Sequence, residues 1–265
     1  METTYQQLTL ATCEIAREVG KFMAEERKSF DASMIETKGL HDLVSYVDKE
    51  SEKRIIRQLS ELLPESGFIA EEGTSNKHGE RYNWVIDPLD GTTNFISGVP
   101  VYAVSIGLLD RDELVLGVVY EVGRDECFYA WKGGEAYLNG KTIRVSTTTM
   151  ISDALLATGF PYSNFAQLDN YLALLKWSMT EARGVRRLGS AATDLVYVAC
   201  GRFDAFFEYD LKPWDVAAGA FIVQQAGGSI VDFSGGKNYL FGGEIVASNP
   251  SLLMIMQGKV VATMK

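Results

Sequence analysis

Two aspartates three residues apart, followed at once by a glycine and two threonines, interrupt an apolar run in Trp84–Phe95, WVIDPLDGTTNF. Asp87 and Asp90 supply two carboxylates. A turn at Pro88 and Gly91 would free the Leu89 carbonyl from ladder bonding and let it face the same way. Two carboxylates and a carbonyl are hard oxygen donors, the kind that magnesium or manganese takes. Thr92 and Thr93 would open a short helix, whose N-terminus offers free N–H groups and a positive dipole end to a phosphate. A metal cup beside an anion seat is what metal-assisted phosphoryl chemistry uses. A plainer reading stays open, because Asp also serves Pro/Gly turns and Thr also caps helices.

Three more acidic positions carry the same double reading. Glu71-Glu72 closes the strand-like GFIAEE, where paired acids also read as solvated charge. Asp215 falls in the first turn of a helix opened by Pro213, where an acid complements the helix dipole. Asp48 precedes a helix and could be its N-cap. If these acids converge, cations must lie between them to offset the repulsion. Their separation along the chain leaves that convergence open.

The elements that would position them follow from periodicity. Residues 4 to 28 place Leu8, Ala11, Ile15, Val19, Phe22 and Met23 at helical steps. A polar stretch broken by Gly39 reads as a loop with one short strand. A second helix is predicted from Asp48 to Leu63, stopped by Pro64. GFIAEE and NWVID read as short buried strands. VYAVSIGLLD, ELVLGVVYEV and ECFYAWKGG predict a multi-stranded sheet, and Asn139-Gly140 a hairpin turn. Helices are predicted over Asn164–Glu181, from Ala191, from Pro213 to the Gly227-Gly228 pair, and from Pro250; FDAFFE, SIVDF and EIVAS read as strands. Blocks of helix and sheet predict an α/β (α+β) layered sandwich in a single domain spanning 1–265.

Composition excludes several classes. The chain has 265 residues, 46 % of them hydrophobic and 23 % charged, as a globular enzyme would. Its net charge of −10 argues against nucleic-acid or anionic-membrane surfaces. Three cysteines without a CxxC pair point to a reducing compartment, and two histidines make a histidine zinc site or a His-dependent triad a poor starting point. METTYQQLTL lacks the pattern of a signal peptide, and no apolar run is long enough for a membrane span, so a cytoplasmic location is expected. GGEAYLNGKT fails as a P-loop: five residues separate Gly134 from Gly140, and the β-branched TIRVSTTT follows instead of a helix.

WVIDPLDGTTNF together with WDVAAGA resembles the two signature motifs of the inositol monophosphatase family, bacterial branch. The likeness extends through DLVSYVDKESE, FIAEEG, YLNGKTIRVS and RRLGSAATDLVYVACGRFDAFFE. It implies an αβαβα sandwich and a lithium-sensitive phosphatase that hydrolyses a small phosphorylated polyol or sugar, inositol 1-phosphate first, using two or three Mg2+ ions with Mn2+ able to substitute. By the resemblance, Glu71, Asp87, the Leu89 carbonyl, Asp90 and Asp215 are the metal ligands, with Glu72 beside them. Asp48, Glu71 and Thr92 are the catalytic set that activates water. Asp90, Gly91, Thr92, Thr93, Arg186, Gly189, Ser190, Ala191, Glu208 and Asp215 surround the substrate, and Lys38 lies in a loop over the metals. A homodimer is implied, with no nucleic acid or membrane partner. The alternatives are a 3′(2′),5′-bisphosphate nucleotidase or fructose-1,6-bisphosphatase on the same fold, or a regulatory protein that binds transcription machinery. Thr93-Asn94, where nucleotidase relatives tend to carry Lys-Glu, favours the monophosphatase.

Overall fold

The computed structural model describes residues 4–31, 35–39, 42–162 and 164–264. Helix α1 (Tyr5–Lys28) buries Leu8, Ile15, Val19 and Met23 and is capped by Thr4. A hairpin of β1 (Ile35–Gly39) and β2 (Asp42–Ser45) follows, two strands where the sequence suggested one. Lys38 lies on β1, and its side chain falls outside the described set. Helix α2 (Tyr46–Leu62) begins two residues before Asp48, because Ser45 is the N-cap.

Strands β3 (Gly67–Ala70), β4 (Tyr82–Asp90), β5 (Ala103–Asp110), β6 (Glu113–Glu121), β7 (Glu126–Trp131), β8 (Ala136–Leu138) and β9 (Lys141–Thr142) form a seven-stranded sheet in that order. The short helix α3 (Thr92–Ser97) leaves the end of β4. Asn139 and Gly140 both have positive φ, 47° and 81°, as a two-residue hairpin turn demands. A five-stranded sheet has the order β11 (Gly184–Arg186), β10 (Leu155–Thr158), β12 (Ala205–Tyr209), β14 (Glu244–Ser248), β13 (Ser229–Val231). Strand β10 was not apparent from the sequence. Helix α4 (Leu168–Glu181) starts four residues after the predicted Asn164, whose side chain accepts from the Ala166 N–H at 3.2 Å and so favours a turn.

Helices α1 and α2 cover one face of the larger sheet. Helices α5 (Ala191–Ala199) and α6 (Pro213–Gln225) fill the space between the sheets. Helices α4 and α7 (Pro250–Met264) cover the far face of the smaller sheet. The layers are therefore α, β, α, β, α. Helix α6 is apolar on all sides because sheets and α5 surround it. Its Ala217 and Ala218 meet Gly107 and Gly117, which sit opposite each other on β5 and β6.

This close approach sets the height of α6 over the sheet, and with it Asp215 at the helix start. A Cβ at Gly117 would lie 2.6 Å from the Ala218 carbonyl oxygen. Gly117→Ala is expected to destabilise the protein by about 1–3 kcal/mol through overpacking. Thermal unfolding checks this; an unchanged Tm would show that α6 is free to move.

Candidate active site

Asp87 and Asp90 share a face because β4 carries a bulge. Residues an odd number apart on a regular strand point to opposite faces. Here Asp87 pairs with Ser105 and Asp90 with Ala103, so three steps on β4 match two on β5. The extra residue flips the alternation once. Val85 faces the central helices, and Trp84 and Ile86 face α1 and α2. Asp87 follows Val85 inward, and the bulge brings Asp90 inward as well. Pro88 thus sits within the bulge, with β4 continuing to Asp90, where the sequence reading had ended the regular pairing.

Glu71 arrives beside Asp87 through a second register. Strand β3 runs parallel to β4, with Ala70 opposite Ile86, and the Glu71 N–H donates to the Ile86 carbonyl at 3.2 Å. The turn beyond is held by a residue the sequence reading missed. Buried Glu52 of α2 accepts from the Glu72 N–H, the Thr74 N–H and the Thr74 hydroxyl, each at 2.7 Å.

Asp215 comes from the first turn of α6, where its Oδ2 accepts from the Lys212 N–H at 2.6 Å. The Ser105 hydroxyl, beside Asp87 on β5, donates to the Trp214 carbonyl at 3.2 Å and anchors that turn. Asp90 Oδ2 accepts from the Ser190 hydroxyl at 2.5 Å and the Ala192 N–H at 2.7 Å. Ser190, the N-cap of α5, is thereby committed to Asp90.

Burial, then the charges of Glu71, Asp90 and Asp215, push the Asp87 carboxyl well above its ordinary range. Burial lifts Asp90 to about 6 against the pull of Ser190 and the α5 N–H groups. Burial and Asp90 lift Asp215 to about 7. Among the described residues, no three acidic side chains close on one point as a finished coordination sphere. The donor set is nonetheless all hard oxygen, with negative charge in excess, and it fits a divalent cation such as Mg2+ or Mn2+.

Thr92 stands at the start of α3. Its hydroxyl lies 2.8 Å from Asp48 Oδ1 and 3.0 Å from the Leu89 carbonyl oxygen. With one proton to give, it favours the carboxylate, leaving its lone pairs for a donor such as water. The other Asp48 oxygen accepts from the Ser45 N–H and hydroxyl at 2.8 and 2.6 Å. Burial raises the Asp48 pKa, and the Ser45 bonds oppose the rise. Gly91 has φ 92°, and a Cβ there would come within 3.0 Å of the Val101 carbonyl oxygen. Thr93 is exposed on the first turn. Asn94, another residue not anticipated, donates to the carbonyls of Val101 at 2.7 Å and Leu188 at 2.8 Å, pinning the segment that carries Gly189 and Ser190.

Glu208 on β12 lies close enough to Asp215 and Asp90 to feel their charge. Its carboxyl is pushed well up by burial and by Asp215, and pulled down by Arg187. Asp194 on α5, 1 % exposed and with Oδ1 lacking a hydrogen-bond partner, is pushed up by burial, Glu208 and Asp90. The cation acting on both is Arg187. Arg186, the residue the sequence suggested, is exposed at the sheet edge with its guanidinium on the Val185 carbonyl at 3.0 Å. Arg187 bonds the Tyr162 hydroxyl at 3.1 Å and lies 5.5 Å from the Phe160 ring centroid.

The sequence profile of the inositol monophosphatase family matches residues 4–263. The chain belongs to the inositol monophosphatase family. The Nus factor SuhB of Escherichia coli (strain K12) is 43 % identical over 242 residues, 91 % of each chain. The SuhB crystal structure from Bartonella henselae, 36 % identical, covers 94 % of this chain and 96 % of its own with a TM-score of 0.89. An IMPase from Thermotoga maritima, 33 % identical, matches 95 % of both chains with a TM-score of 0.86. The inositol monophosphatase fold expected from the sequence is therefore present. Among the described residues no helix is long and apolar enough to cross a membrane.

The crowded acids make stability depend on pH in a definite direction. A carboxyl whose pKa is raised on folding stabilises the fold below its unfolded value, near 4, and that contribution is lost as pH rises through the folded value. Without divalent ions, Asp90 and Asp215 should lower stability from about pH 4 to their folded values of about 6 and about 7. Urea unfolding in EDTA should show the decline, and Asp215→Asn should make it shallower. An unchanged profile in Asp215→Asn would contradict the crowding.

Proposed function

We propose that the protein hydrolyses a small phosphate monoester in a divalent-metal-dependent reaction, with Mg2+ as the metal and inositol 1-phosphate as the leading substrate. The observation that carries this reading is the neighbourhood of Glu71, Asp87, Asp90 and Asp215, four acids raising or sharing one another's burden of charge, beside the Thr92–Asp48 hydrogen bond. In this reading Glu71, Asp87, the Leu89 carbonyl, Asp90 and Asp215 hold the metal. Bound there, a divalent ion supplies charge neutralisation for the phosphoryl group and acidifies water.

The chain's own residues do the rest. Thr92 accepts a proton from the attacking water while its own moves toward Asp48, a relay that the 2.8 Å contact supports. Ser45 keeps Asp48 oriented for this role. Glu71 assists from beside Asp87. The backbone at Gly91, Thr92 and Thr93 seats the phosphate, with Gly91 letting the chain turn closely enough. Ala191, Gly189 and Glu208 border the polyol, and Arg187 takes the place expected of Arg186. No nucleophilic serine or cysteine is required.

A second reading is favoured by one observation: relatives this similar are named Nus factors. A surface role in transcription is compatible with an intact hydrolytic site, because Asp87 and Asp90 are buried and would not themselves form a partner surface. A homodimer and lithium sensitivity accompany the family reading.

Purified protein should release phosphate from inositol 1-phosphate only when Mg2+ is added. Asp90→Asn should lower turnover on the order of a thousandfold or more while far-UV spectra stay native. Near-normal turnover would overturn the assignment. Thr92→Ala should lower kcat by about 10²–10⁴ with little change in KM; an effect confined to KM would remove it from the proton relay. If the chain also binds transcription machinery, Asp90→Asn should retain that binding in a pull-down, since Asp90 is 8 % exposed.

A further inference from the structure

The carboxyl of Glu208 lies flat against the backbone of Gly159. A Cβ on Gly159 would fall 1.9 Å from Glu208 Oε1, 2.1 Å from Cδ and 2.2 Å from Oε2. No side chain can stand at 159 without displacing that carboxyl. The position of Gly159 therefore bounds the space the Glu208 carboxyl occupies.

Gly159 follows the last residue of β10, and Thr158 of β10 pairs in parallel register with Phe207 of β12. Strand alternation turns Phe206 inward, Phe207 outward and Glu208 inward again, toward Asp90 and Asp215. The join between the two strand ends is made by hydroxyls. Thr158 donates to the Phe207 carbonyl at 2.9 Å. The Tyr171 hydroxyl lies 2.5 Å from Thr158 Oγ1, 3.0 Å from the Gly159 carbonyl and 3.2 Å from the Phe207 carbonyl. Two hydroxyl protons thus serve a cluster whose two carbonyls flank the Glu208–Gly159 contact. Tyr171 is 1 % exposed and packs edge-on against Phe207 and Tyr209, with centroids 5.7 and 4.9 Å away, so its ring is fixed. It belongs to α4, in the outermost layer of the sandwich.

We propose that Tyr171 is a positioning residue for substrate selection: its phenol locks Gly159 to Phe207 and so holds the Glu208 carboxyl at the angle that meets the hydroxyls of a polyol ester. The claim rests on the reading of Glu208 as the group that borders the polyol. A carboxylate reading two neighbouring hydroxyls depends on its orientation, and a small displacement discards the gain. Substrates with no such hydroxyls should not notice the change.

The test compares inositol 1-phosphate with p-nitrophenyl phosphate, which has no polyol, using the full-length protein with Mg2+. Tyr171→Phe keeps the ring and its packing and removes only the hydroxyl. It should raise KM for inositol 1-phosphate roughly 5- to 20-fold, the loss of about one well-placed hydrogen bond, with kcat and both p-nitrophenyl phosphate parameters changed by less than about twofold. Gly159→Ala should cause the same selective loss by direct displacement. Equal losses on both substrates, or none, in Tyr171→Phe would overturn the proposal. Glu208→Gln separates the two claims. If it leaves the preference for inositol 1-phosphate intact, the polyol role of Glu208 fails, and positioning is then judged by the ¹³C resonance of the Glu208 carboxyl. A shift of that resonance in Tyr171→Phe is the expected result, and an unmoved one overturns the proposal.

Discussion

Mutual repulsion among neighbouring carboxylates, Asp87 and Asp90 buried and Glu71 and Asp215 half-buried, is the constraint around which this molecule is organised. Glu71, Asp87, Asp90 and Asp215 come from three stretches of chain; Glu71, Asp90 and Asp215 raise the cost of ionising Asp87, and Asp90 that of ionising Asp215. Relaxing that repulsion would only require the side chains to turn away. They are prevented from turning by backbone devices remote from any charge: the parallel register of β3 on β4, the bulge that flips Asp90, and the alanine–glycine contact that sets α6 against the sheet. Each lies in well-packed apolar structure, so the stability of the core is what holds the acids in a geometry they would not choose.

The acids also do structural work, one oxygen at a time. Asp48 completes the cap of α2, Asp215 caps the first turn of α6, and Asp90 receives the N-cap serine and an N–H of α5. Three helix starts thus each present their positive end to one of these carboxylates. This arrangement tempers the crowding, as the downward pull of the α5 N–H groups on Asp90 shows. It also makes folding and site assembly one event: the helices cannot begin where they do without placing the acids.

That double use explains what could be read from the chain. The first-turn reading of Asp215 holds, while Asp48 stands three residues inside α2 and completes the cap that Ser45 makes; for Asp48 the cap uses one oxygen and Thr92 the other. The stripe of α1 and the Asn139-Gly140 turn were legible because local periodicity and backbone preference decide them. The bulge was not, since it exists only in the register of β4 against β5. Glu52 looked like one more charge in YVDKESE, and only the fold shows it buried beneath the Glu72–Thr74 turn. Arg186 and Arg187 are adjacent, and which of them faces Glu208 depends on how the chain leaves β11. Asn94 and Tyr171 act on backbone carbonyls far away in sequence, a kind of partner that residue type cannot announce.

The cleft divides into two acidic regions with different compensation. Around Asp87 the largest influences are burial and other acids, and a divalent ion is the natural counterweight. Around Glu208 and Asp194 the counterweight is a protein cation, Arg187, resting against Tyr162 and Phe160 at the exposed rim. Metal binding would therefore neutralise the first region and leave the second to be tuned by side chains. A family that keeps its metal chemistry while changing its substrate could do so by altering the second region alone. The elements that shape it, the β10 end, the segment before α5 and the inner face of α4, belong mostly to the smaller sheet and its outer helices. The larger sheet and α6 carry the acids proposed to hold the metal, Glu71, Asp87, Asp90 and Asp215. On the proposed roles, chemistry and selection would draw mainly on different sheets, and α5, whose N-terminus binds Asp90 and whose first turn carries Asp194, is the element that touches both.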